Sequence, residues 1–234
     1  MARRPPDLAK TIDHTLLDPA PTADAVSRLC DEAQEHHFAA VCVLPSTVPA
    51  AASLLLGCDV KVAAFVASAG ACEPGAGVRA AESCVAAGAH ELDVVLDVDA
   101  LLAGEVLRIR DDLAAVVRAT RLRSMNSGRG QTLVKAVVEC GRLGPQRTRL
   151  ACRIVEGAGA DFVAVSAAGV PLDDVLASVE LVRECLPDRV GVKAVGEISS
   201  AAEAVDVLAA GAVRIGTTNA VGVVAGGVLQ GAVA

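Results

Sequence analysis

The 234-residue chain has no tryptophan, no tyrosine and only three phenylalanines. Phenolic acid catalysis is thereby excluded, and the core has to be filled by small and branched side chains, chiefly Ala, Val and Leu. No uninterrupted apolar run reaches the roughly 18 residues a membrane helix needs, because charged residues or glycine break every candidate. Behind Arg3 and Arg4 come Pro5, Pro6 and Asp7 instead of an apolar stretch, so nothing marks the chain for export and a cytoplasmic location is the default. A basic surplus is also missing. The formal net charge of -7 has the wrong sign for the counterion release that drives general nucleic-acid binding, which leaves small molecules as the expected partners. Cysteine is plentiful but never closely spaced: Cys30, Cys42, Cys58, Cys72, Cys84, Cys140, Cys152 and Cys185 contain no CxxC pair. They read as buried thiols in a reducing compartment. His14, His36, His37 and His90 form no HxxxH or HxH spacing, so no protein-built metal site is expected.

What is present points to a globule. With 53% apolar and 21% charged residues the chain can bury a sizeable core, and its length fits one domain over residues 1–234. Short β-branched runs bounded by turn residues recur at Thr11 to His14, Ala39 to Leu44, Val60 to Val66, Glu91 to Val98, Leu133 to Glu139, Asp161 to Ser166, Val190 to Val195 and Ala212 to Gly216. Helical periodicity fills the gaps, as in Ala23 to His36, Val78 to Ala87, Ile109 to Ala119, Thr148 to Ala158, Leu172 to Leu186 and Ser200 to Ala209. Strands alternating with helices imply parallel pairing through right-handed crossovers. The pairs Gly88-Ala89, Gly159-Ala160 and Gly211-Ala212 stand just before strands, where a residue free to adopt positive φ ends the helix. A single (β/α)8 TIM barrel is the expected fold class; an open doubly wound sheet is the alternative, since periodicity does not show closure. Arg121 to Gln131, rich in Ser, Asn and Gly, is expected to be a surface loop on the N-terminal face.

Barrel enzymes carry their functional side chains at the C-terminal ends of strands. That rule selects Asp13 and His14, Cys42, Asp93 and Asp97, Lys135 and Glu139, Lys193, and Glu197 just beyond the seventh strand. Asp93, Lys135 and Lys193 lie inside apolar runs, where an unpaired charge is costly, so they need partners. Either they form a structural ion-pair network, or they serve acid/base or amine chemistry, a crowded lysine having a lowered pKa.

The motifs Ile12-Asp13-His14-Thr15-Leu16-Leu17, Val41-Cys42-Val43-Leu44-Pro45, Glu91-Leu92-Asp93-Val94-Val95, Val134-Lys135-Ala136-Val137-Val138-Glu139, Gly191-Val192-Lys193-Ala194 and Arg214-Ile215-Gly216-Thr217 together resemble the deoxyribose-phosphate aldolases. They run in that family's order over almost the whole chain. The resemblance implies a (β/α)8 barrel and an aldol reaction joining acetaldehyde to glyceraldehyde 3-phosphate through a lysine imine, without metal or organic cofactor. It implies roles for Asp93 and Lys193 in proton transfer, and pocket-lining places for Asp13 and Cys42.

The departures are concentrated where the chemistry should be. The family's sixth strand ends in Lys-Thr-Ser-Thr-Gly, with the lysine as nucleophile; here the run is Ala164-Val165-Ser166-Ala167-Ala168. Several neighbours depart with Ala164, which favours natural divergence over an engineered knockout. The family's phosphate-binding Gly-Gly pair is Gly196-Glu197, the lysine after Leu-Leu is Asp18, and the Asn before Pro is Leu44. A carboxylate at Glu197 opposes a phosphate dianion, although Thr217, Thr218 and Asn219 remain as donors. The expected function is therefore an aldolase-like enzyme with redirected chemistry on a non-phosphorylated carbonyl substrate: carbon–carbon bond formation or cleavage, cyclisation or enolisation. Asp93, Lys193 and Lys135 are its catalytic candidates, and Asp13, Cys42, Asp97, Glu139, Ser166, Glu197, Thr217, Thr218 and Asn219 its substrate-binding ones. A homodimer fits this reading. The alternatives are a non-catalytic metabolite- or partner-binding relative and a residual 2-deoxyribose-5-phosphate aldolase.

Overall fold

A computed structural model describes residues 7–67, 75–128, 130–166 and 169–228. Of the positions singled out above, Arg3, Arg4, Pro5, Pro6, Cys72, Ala167 and Ala168 lie outside the described residues. The parallel strands β1 (Ile12–Leu16), β2 (Ala40–Val43), β3 (Lys61–Val66), β4 (Glu91–Val95), β5 (Leu133–Val138), β6 (Phe162–Ser166), β7 (Gly191–Val195) and β8 (Arg214–Thr217) pair in sequence order, and β8 closes on β1. The open-sheet alternative is thus eliminated. Around the barrel run α1 (Ala23–Glu35), α2 (Val48–Leu54), α3 (Ala76–Ala87), α4 (Val98–Leu102), α5 (Val106–Ser127), α6 (Cys140–Ala158), α7 (Leu172–Cys185), α8 (Ala201–Ala209) and α9 (Ala220–Val228). Among the described residues no helix is long and apolar enough to cross a membrane.

Alternation along each strand divides its side chains between two environments. Val41, Val43, Val62, Leu92, Val94, Val134, Ala136, Val163, Val192, Ala194 and Ile215 join residues of the helices in one large core. A much smaller cluster, Ala40, Cys42 and Ala63 with Phe65 against it, is separate and belongs to the inside of the barrel. The Gly-Ala joints behave as expected: Gly88, Gly159 and Gly211 all have positive φ, so each helix stops and the next strand begins three residues after the glycine.

The loop expected over Arg121 to Gln131 is mostly helix. α5 continues to Ser127 and ends at Gly128, which has φ 67°. Both serines that suggested a loop bond inside the helix: Ser124 Oγ donates to the Thr120 carbonyl at 2.8 Å and Ser127 Oγ to the Ser124 carbonyl at 2.8 Å. Ser124 Oγ also accepts from Thr132 N at 3.2 Å, tying the helix end to the approach of β5. The helix expected from Thr148 begins earlier, at Cys140, and breaks at Gly144, where φ is 67° and ψ 170° before Pro145. Proline lacks the N–H and restricts the residue before it, so the break falls there.

Candidate active site

The register assigns the inward positions. Phe65, Asp93, Lys135, Phe162 and Gly191 are partners around the barrel in one row, and Val95, Val137, Ala164, Lys193 and Arg214 form the next. Ser166, Val195, Gly216 and Asp13 make another. Residues Asp13, Asp93, Lys135 and Lys193 therefore converge from β1, β4, β5 and β7 although they are scattered through the chain. Two glycines make room. A side chain at Gly191 would strike the Phe162 ring, coming within 2.3 Å, and one at Gly216 would press on Lys193 Cε at 3.0 Å.

Three carboxylates and three cations meet there. Lys193 Nζ lies 2.6 Å from Asp13 Oδ2 and 2.5 Å from Asp93 Oδ2. Lys135 Nζ lies 2.5 Å from Glu91 Oε2, 3.1 Å from Asp13 Oδ2 and 3.0 Å from Asp93 Oδ1, the last an ion pair without hydrogen-bond geometry. Arg214 bridges the remaining carboxylate oxygens: Nε meets Asp13 Oδ1 at 3.0 Å, Nη1 and Nη2 meet Glu91 at 3.2 and 3.0 Å, and Nη2 also contacts Asp13 Oδ1. Apart from Arg214, whose side chain is 13% exposed, every member is at most 4% exposed. Each carboxylate touches at least two cations, so the formal charges cancel and none is left buried alone, the condition under which such a cluster is tolerable.

This balance sets the protonation states. Burial alone would push Asp13 up, but Lys135, Lys193 and Arg214 together hold it far below the usual carboxylate range. Asp93 is lowered against the same burial by Lys135 and Lys193. Burial likewise opposes the charged form of Lys135, yet Asp13, Asp93 and Glu91 raise it well above the ordinary lysine value; Lys193 is raised by Asp13 and Asp93. The lowered lysine pKa anticipated from crowding is not what the barrel produces, because the carboxylates around each amine outweigh its desolvation. Cys42, 3.8 Å from Asp93 Oδ2, is pushed up to about 12 by burial and by that carboxylate, so it is a thiol.

Other sequence candidates lie elsewhere. His14 points outward from β1: Nε2 meets Glu32 Oε2 of α1 at 2.8 Å, and its ring packs edge-on to Phe38. Alternation explains this, since Asp13 next to it faces in. Asp97 caps α4, accepting from Ala100 N at 3.0 Å, and pairs with Arg108 at 2.9 Å. Glu139 precedes α6 and pairs with Arg142 at 3.4 Å on the surface. Glu197 and Thr218 are exposed beyond β7 and β8, and Ser166 is half-buried at the end of β6. Thr217 Oγ1 donates to the Ile198 carbonyl at 2.8 Å and accepts from Asn219 N, while Asn219 Nδ2 donates to the Ser199 carbonyl. These groups join the last two loops to one another. Ahead of α8 a capping box is closed: Glu203 Oε2 accepts from Ser199 N at 2.7 Å and Ser200 N at 3.2 Å, and Ser200 Oγ accepts from Glu203 N. Two cluster members were not among the sequence candidates: Glu91 and Arg214. The signal was available for Glu91, which stands two residues before Asp93 and so shares its face of the strand; Arg214 opens β8, and nothing near it in sequence announces an inward position.

No family model matches the chain. Individual relatives do. A curated deoxyribose-phosphate aldolase from Brevibacillus brevis is 36% identical over 221 residues, covering 94% of this chain and 96% of the relative. Among solved structures, the aldolase QR15 superposes with a TM-score of 0.85 at 27% identity, over 96% of this chain and 97% of its own. A deoxyribose phosphate aldolase from Aeropyrum pernix, described as having a unique tetrameric structure, gives 0.80 at 27% identity over 93% and 89%.

Proposed function

The chain belongs to the deoxyribose-phosphate aldolase family, and on that premise we propose that it is an aldolase-type enzyme whose chemistry no longer runs through an amine at position 164. The reading is carried by one observation. Ala164 is fully buried, faces inward and is the register partner of Lys193, so the position of the family's nucleophile ends in a methyl while the acid/base pair beside it is intact. Lys193, held as an ammonium, donates to a substrate carbonyl oxygen and stabilises negative charge there. The Asp93 carboxylate takes the proton from the adjacent carbon. The enolate carbon then adds to a second carbonyl carbon, and Asp93 returns its proton to the new alkoxide; the reverse sequence breaks the bond. Stopping after the first proton transfer is enolisation, and an internal second carbonyl gives cyclisation.

The preference for a substrate without phosphate is supported by the loops beyond β7 and β8. A helix N-terminus attracts phosphate through its free N–H groups, but the Ser199 and Ser200 N–H groups that lead into α8 already donate to Glu203, and Thr217 and Asn219 are committed to Ile198 and Ser199. Glu197 adds negative charge to the same rim. Association of copies, as a homodimer, belongs to this reading and is supported by the tetrameric Aeropyrum pernix structure.

The names of the relatives favour one second reading, residual cleavage of 2-deoxyribose 5-phosphate with Lys193 standing in for the missing amine. A single experiment separates the two. Purified protein is incubated with a panel of aldehydes and ketones in heavy water, and carbon-bound proton exchange and new carbon–carbon bonds are followed by NMR, with 2-deoxyribose 5-phosphate as a parallel substrate. Exchange or condensation on a non-phosphorylated member, abolished in Lys193→Met, is the expected result. Robust cleavage of the sugar phosphate would select the second reading, and conversion that survives Lys193→Met would remove Lys193 from the chemistry.

A further inference from the structure

We infer that Glu91 is a positioning residue that keeps the interior lysines from acting as carbonyl-reactive amines, with Arg214 holding Glu91 to that task. The argument is one of charge counting at measured distances. Asp13 and Asp93 are each shared between Lys135 and Lys193, whereas Glu91 contacts Lys135 at 2.5 Å and is not in contact with Lys193. Glu91 is thus the third carboxylate that brings the cluster to three against three. Arg214 clamps it through both terminal guanidinium nitrogens, Nη1 and Nη2. Without the Glu91 charge, three buried cations would face two carboxylates. A guanidinium does not give up its proton, so the excess falls on the lysine pair, where desolvation and like-charge repulsion act in the same direction. One of the two then exists as a free amine. Such an amine adds to a carbonyl carbon, water departs with the carbonyl oxygen, and an imine remains. The inference rests on the proposed function only in taking this interior as reachable from the barrel mouth.

The test is reductive trapping with acetaldehyde and borohydride at neutral pH, in which hydride reduces the imine to an ethylated lysine that peptide mapping locates. Mapping separates Lys135 and Lys193 from the exposed Lys10 and Lys61. Wild type is expected to carry no ethyl group on either interior lysine, and Glu91→Gln to acquire one. Glu91→Asp, which keeps the charge, should remain unlabelled. The double variant Glu91→Gln with Arg214→Met has two cations against two carboxylates and should lose the label again, an outcome that a purely structural role for Glu91 does not produce. A folded Glu91→Gln protein with unlabelled Lys135 and Lys193, or a double variant labelled as fully as the single one, overturns the inference. A second measurement needs no variant: in wild type, interior labelling should begin at higher pH than labelling of Lys10 and Lys61, and the opposite order also overturns it. Because trapping uses no native substrate, its failure is distinct from that of the proposed function, which is decided by turnover in Lys193→Met.

Discussion

In β7, Val192 and Ala194 lie among the aliphatic side chains between sheet and helices, while Lys193 between them lies among charges inside the barrel. The same contrast holds in β4, where Leu92 and Val94 face the helices and Glu91 and Asp93 face each other's cations. Both regions are equally dry, yet they are held together differently. In the outer layer each side chain is favourable by itself, roughly in proportion to the apolar area it removes from water, and a neighbour's loss leaves it merely less well packed. Inside, no member is favourable alone; each charge is tolerable because the opposite ones are in place. One part of the interior is apolar, the Ala40, Cys42, Ala63 and Phe65 patch of β2 and β3, so the charges occupy only part of the barrel's inner surface. An ensemble whose members depend on one another is a poor way to gain stability and a good way to fix protonation states, which is what chemistry at a carbonyl requires.

The sharpest way to break this comparison is through activity. Asp93→Asn keeps the shape of the interior while removing its proton acceptor, and it should slow turnover of a demonstrated substrate by about 10²–10⁴, the usual span for losing a general acid or base. Full activity in that variant would place the chemistry outside the cluster. Next in size is stability. Lys135→Met leaves Glu91 without its nearest cation and should destabilise the protein by about 3–5 kcal/mol, the usual cost of breaking a buried pair from one side. In the outer layer Leu92→Ala should cost about 2–5 kcal/mol through a cavity and leave turnover per folded molecule near wild type. Denaturant titrations and kinetics on both variants check this: an activity loss in Leu92→Ala as deep as in Asp93→Asn would erase the distinction between the two layers.

The smallest effect is on the pH dependence of stability, and it sharpens the comparison. Asp13 and Asp93 have folded pKa values below the unfolded one, so their contribution is complete above the unfolded carboxylate value of about 3.9 and is lost as pH falls toward the folded value. Lys135 and Lys193 are raised, so theirs is complete below the unfolded lysine value of about 10.4 and is lost as pH rises through the folded one. Melting temperatures should therefore show a broad plateau bounded by an acid and an alkaline limb, and Lys135→Met should flatten both. An alkaline limb unchanged in that variant would mean that the lysines do not carry it.

Most of the fold could be read from the residues. The alternation of β-branched runs with helical periods, and glycine before the strands at positions 88, 159 and 211, follow from local backbone preference and survive in the structure. The failures were also local in origin. Ser124 and Ser127 look like loop residues until their hydroxyls are seen to bond inside α5. His14 and Asp13 were equally eligible by sequence, and only the direction of β1's pleat separated them.

By itself the sequence determined which segments are strands, which side chains are charged within them, and that no amine stands at position 164. Those are properties of single residues and their immediate neighbours. Only the tertiary structure decided that Glu91 and Arg214 complete a neutral cluster with Asp13, Asp93, Lys135 and Lys193, and hence that the lysines are raised and not lowered. The physical reason is that a buried group's protonation depends on the sum of charges within a few ångströms. Here that sum is assembled by barrel closure from β1, β4, β5, β7 and β8, with Arg214 and Asp13 at opposite ends of the chain and in direct contact.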